Sequence, residues 1–121
     1  MGRIRYNPRP TYEIECLLFA NSEEAWFWFI RCQRLRSEGA RLENAPDGIP
    51  RPCSPDDIYL SVMSLLRSRF IDMEHLRVLW KYGLRELPPD PRCRREERHA
   101  RLWDEALDRL TTVLREKGIS A

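Results

Sequence analysis

The run Trp26-Phe27-Trp28-Phe29-Ile30 constrains this chain more than any other feature. Successive residues of a helix step by about 100°, so five consecutive bulky apolar side chains wrap most of the circumference. They cannot all face one side of an ordinary amphipathic helix. Ala25, Trp28, Phe29, Cys32 and Leu35 make a coherent inner stripe, which turns Trp26 or Phe27 toward the edge or the outside. The alternative is that residues 40–53, or the N-terminal arm, cover these rings within one molecule.

Start and stop signals place this run on a helix. Asn21 is a good N-cap, Glu24 stands three residues on as in a capping box, and Gly39 is suited to end the element. Asn44, Pro46, Asp47, Gly48, Pro50 and Pro52 mark a loop. Ser54-Pro55-Asp56-Asp57 is the clearest helix start, with a cap, proline at the first helical position and two acids in the first turn. Ile58, Val62, Leu65 and Leu66 then form one apolar stripe, widened by Tyr59, Met63 and Phe70. A third helix carries Met73, Leu76, Leu79 and Trp80 and is expected to stop near Gly83. The short link before it predicts an antiparallel hairpin. After a proline-bearing connection over 84–96, a last helix carries Leu102, Trp103, Ala106, Leu107, Leu110 and Leu114, with Gly118 and Ile119 to close it. Tyr12, Ile14, Cys16 and Leu18 alternate as a short strand would, and a helix there is equally allowed.

The expected fold class is therefore mainly α: a compact bundle of about four helices, with room for one short N-terminal strand. Residues 1–11 form a basic flexible arm and 12–121 a single helical domain. A chain of 121 residues can bury one modest core. Its charges nearly cancel to +2, so no strong general field draws in nucleic acid or acidic lipid. No apolar run reaches the roughly 18 residues of a membrane span. Without a signal-peptide pattern, Cys16, Cys32, Cys53 and Cys93 are expected as reduced thiols in a cytoplasmic protein.

Three blocks carry a resemblance: Glu24-Ala25-Trp26-Phe27-Trp28, Arg51-Pro52-Cys53-Ser54-Pro55-Asp56-Asp57, and Leu102-Trp103-Asp104-Glu105-Ala106-Leu107-Asp108-Arg109-Leu110 with Lys117-Gly118-Ile119. Together they resemble a group of small bacterial helical proteins without an assigned activity. The resemblance implies a bacterial cytoplasmic setting and transfers no functional residue.

Candidate chemistry has to be weighed against ordinary structural roles. The cysteines lie too far apart for a zinc knuckle, and a site from Cys53, His75, Cys93 and His99 would need the fold to assemble it. No nucleophile elbow or phosphate-binding glycine loop is present, and Asp56-Asp57 is explained as a charged first turn. No catalytic residue, metal ligand or cofactor is therefore assigned, and no enzyme activity is expected. Nineteen of the 21 basic residues are arginine. Arg3, Arg5 and Arg9 could form a groove-reaching arm, and Arg92, Arg94, Arg95, Arg98 and Arg101 crowd the start of the last helix. Interspersed acids argue instead for a solvated, self-paired face.

Two functional expectations follow. The favoured one is a non-enzymatic adaptor or regulatory protein that binds a protein partner or itself through the aromatic helix, using Trp26, Phe27 and Ile30 with Arg31 and Arg34 on the rim. The rival is a nucleic-acid-binding regulator that uses the two arginine clusters. Neither involves a membrane.

Overall fold

A computed structural model describes residues 16–39 and 48–121. Within them the chain forms four helices: α1 (Ser22–Ser37), α2 (Pro55–Arg67), α3 (Met73–Arg85) and α4 (Glu97–Glu116). The mainly helical bundle expected from the sequence is what the chain adopts. Residues 1–11 and 12–15 lie outside the described residues. Residues 16–20 form neither helix nor strand and make one isolated parallel bridge, Phe19 with Ser120.

Local chemistry sets most helix boundaries. The Asn21 side chain accepts from the Glu24 amide at 2.9 Å, while the Glu24 carboxylate takes the Ala20 amide at 2.8 Å, one residue earlier than in a standard capping box. At α2, Asp57 reaches back to the Ser54 amide at 2.9 Å, and Pro55 occupies the first helical position. Gly39 and Gly118 both take a left-handed backbone just beyond their helices. At the end of α4, the amides of Gly118 and Ile119 return to the carbonyls of Arg115 and Leu114. That is the Schellman closure expected there.

α1 packs against α2, α3 and α4, as α4 does against the other three helices. Ser22 Oγ donates to the Leu107 carbonyl of α4 at 2.6 Å, and Phe27 lies 5.6 Å from the Trp103 ring. On a second side Phe29 stacks with Tyr59 of α2 at 5.9 Å. On a third, the Trp26 indole donates to the Leu79 carbonyl of α3 at 2.8 Å. A helix packed on three sides can be apolar nearly all round. Trp26, Trp28, Phe29 and Ile30 are accordingly all buried.

α3 ends at Arg85, near the expected stop, but Gly83 lies inside the helix and does not cap it. Gly83 is instead a contact point, because a Cβ built there would lie 2.7 Å from Trp26 Nε1 and 3.0 Å from Ile30 Cγ1. Its bare backbone leaves room for the indole to reach Leu79, one turn earlier. Nor do α2 and α3 pack side by side as a hairpin. α3 rests mainly on α4, α2 on α1 and α4, and Phe29 of α1 sits between Tyr59 and Trp80.

Candidate functional site

The surface proposed for α1 is largely interior. Trp26 and Ile30 are fully buried within the monomer, so the expectation that they form a partner-binding surface is not met by the folded chain. The physical reason is the third neighbour: α3 covers the side of α1 that a two-sided packing would leave open. Phe27 is half-buried against Trp103. Arg31 is half-buried, and Arg34 bonds Glu86 and the Leu84 carbonyl at the end of α3. Arg34 thus fastens α1 to the end of α3.

The arginines ahead of and within α4 are mostly engaged with acids. Arg92 pairs with Asp90 at 3.5 Å, Arg98 with Glu74, and Arg101 with Glu97 at 3.5 Å. Arg94 and Arg95 are exposed and join none of the ion pairs among the described residues. Arg3, Arg5 and Arg9 lie outside the described residues. The second cluster is therefore a mixed-charge surface with two unengaged cations, and it does not form an unbroken basic stripe.

The histidines and cysteines are dispersed among separate roles. His75 is buried at the start of α3, with Nδ1 3.0 Å from the Asp72 amide and Nε2 2.9 Å from Glu105 of α4. It joins two helices. The Asp72 carboxyl is held below its usual range by the His75 amide and ring and by the Glu74 amide. His99 Nδ1 lies 2.7 Å from the Tyr82 hydroxyl, whose ionisation is opposed by burial and by Glu96. Burial pushes the Cys53 thiol up to about 11, with Asp57 adding to the effect. Among the described residues, no three His, Cys, Asp or Glu side chains are placed to hold one metal ion.

A different surface emerges on α2 and α3. Tyr59, Met63, Leu66 and Phe70 recur at i, i+4, i+7 and i+11, while α2 buries Ile58, Ser61, Val62 and Leu65 toward the core. On α3 the buried set is His75, Val78, Leu79 and Tyr82. That leaves Met73, Leu76, Trp80 and Leu84 as a second stripe, exposed or half-buried. The stripes meet at the 68–72 link, and each presses one ring, Tyr59 or Trp80, onto Phe29 of α1. Phe70 is 61% exposed, Met73 50% and Leu84 51%. The spacing was present in the sequence, but Met73, Leu76 and Trp80 read equally well there as core.

No family model, curated protein or solved structure matches the chain. No helix among the described residues is long and apolar enough to cross a membrane.

Proposed function

We propose that this chain is a small helical adaptor or regulatory protein that works in the cytoplasm by binding a protein partner or a second copy of itself. Its contact surface is the apolar face of α2 and α3, centred on Phe70 and Met73. The observation that carries this reading is the exposure of Phe70 and Met73, a large aromatic and a sulfur-bearing side chain left outside the buried core where the stripes of α2 and α3 meet. Aromatic residues and Met are enriched at protein interfaces, and scattered single apolar residues would carry no such weight. A non-catalytic role is supported by the structural duties found for the polar groups. Asp57 closes a cap, His75 joins α3 to α4, and Ser22 bonds α4. Four free cysteines suit a reducing compartment.

The test compares sedimentation of the native chain and of Phe70→Glu/Met73→Glu over a concentration series, alone and with host extract. The native chain should form a larger species, either with itself or with an extract component, and the double variant should stay monomeric while keeping its helical signal. A native chain that remains monomeric in both settings, or a variant that associates equally well, contradicts the reading.

A further inference from the structure

A groove of about 220 Å³ runs between α3 and α4, lined by Glu74, Arg77, Val78, Arg98, His99 and Leu102. Val78 and Leu102 give it an apolar floor, because Val78 belongs to the buried side of α3 and Leu102 is half-buried on α4. The polar groups around that floor are unbalanced. Arg98 and Glu74 bond each other from α4 to α3. Arg77 is exposed and makes none of the ion pairs among the described residues, leaving one guanidinium without an acid. The Asp72 carboxylate accepts the amides of Glu74 and His75, and Glu105 faces His75 Nε2.

His99 adds a directional donor. Its Nδ1 faces the Tyr82 hydroxyl at 2.7 Å. The Tyr82 O–H can donate to Nδ1, an arrangement that places a ring hydrogen on Nε2, the edge away from Tyr82.

We propose that this groove binds a small oxyanion carried on a short apolar or aromatic group, with Arg77, Arg98 and the Nε2–H of His99 as donors and Val78 and Leu102 against the apolar part. Arginine forks match the geometry of carboxylate and phosphate oxygens, and charge-assisted bonds of this kind are the stronger ones. The Glu74 carboxylate already shows the kind of group to which Arg98 donates. A ligand oxyanion takes the open Arg77 first and shares Arg98 with Glu74. A volume of about 220 Å³ suits a ligand the size of a substituted benzene ring.

The test is an amide NMR titration of the whole chain with phenyl phosphate, benzoate and phenol in parallel. The expected result is saturable shifts confined to the amides of residues 74–78 and 98–102 with at least one of the two anions, and none with phenol. Arg77→Gln should weaken that binding at least tenfold, whereas Arg94→Gln/Arg95→Gln should change it less than twofold. Tighter phenyl phosphate assigns the site to phosphate monoesters, and tighter benzoate assigns it to carboxylates. Non-saturating shifts, shifts spread over the other arginines, equal binding of phenol, or an Arg77→Gln chain that binds as the native one does would overturn the proposal. Phe70→Glu/Met73→Glu should bind the anion normally, so this result stands or falls separately from the partner-binding reading.

Discussion

At the scale of single residues, Gly83 shows how one missing atom positions a whole helix. Its buried backbone lies where a Cβ would stand 2.7 Å from the Trp26 indole nitrogen, and that indole bonds the Leu79 carbonyl. Replacing an exposed helical glycine by alanine ordinarily gains about 1 kcal/mol of helix propensity. Here the added methyl forces Trp26 and Ile30 aside, and overpacking of this kind costs about 1–3 kcal/mol. Losing the indole bond would cost about 1 kcal/mol more. Gly83→Ala should therefore lower stability in a denaturant titration by about 1–3 kcal/mol. A variant as stable as the native chain, or more so, would mean that Trp26 does not sit against α3. The sequence could not distinguish these roles. Glycine marks both the end of a helix and a place where another element comes close, and only the neighbouring helix decides between them.

At the scale of elements, caps were the most legible feature, because they depend on residues three or four positions apart. Asn21 with Glu24, Ser54 with Asp57, and Gly118 with Ile119 all act locally. Orientation was less legible. A run such as Trp26 to Ile30 has no polar side to fix its phase, so its pattern cannot reveal how many neighbours surround it. The α2–α3 link was also ambiguous, since a short connection fixes where two helices begin and not whether they lie together. That link contains a strained position. Arg69 takes φ 64° at the end of α2, with its amide on Leu66 and the Phe70 amide on Leu65, a Schellman closure usually built on glycine. The left-handed backbone costs a non-glycine residue about 1–2 kcal/mol, and the extra freedom of glycine in the unfolded chain gives back about 0.5–1 kcal/mol of that. Arg69→Gly should thus raise stability by about 0.5–1 kcal/mol, or a few degrees in thermal midpoint. A lower midpoint would show that Arg69 is held by contacts that outweigh its backbone strain.

At the scale of the whole molecule, the aromatic excess that suggested an exposed interface belongs to a helix enclosed by three others. The interior it builds draws Tyr59 and Trp80 onto Phe29 and leaves Phe70 and Met73 outside, and that is where the proposed partner surface now lies. Hydrogen exchange of α1 amides at low protein concentration tests this arrangement most directly. If α1 is enclosed within the monomer, the amides from Phe29 to Gln33 should exchange only through global unfolding, as slowly as the centre of α4 and independently of concentration. Faster exchange in α1 than in α4, or protection that appears only as concentration rises, would contradict the account and return the aromatic helix to the surface.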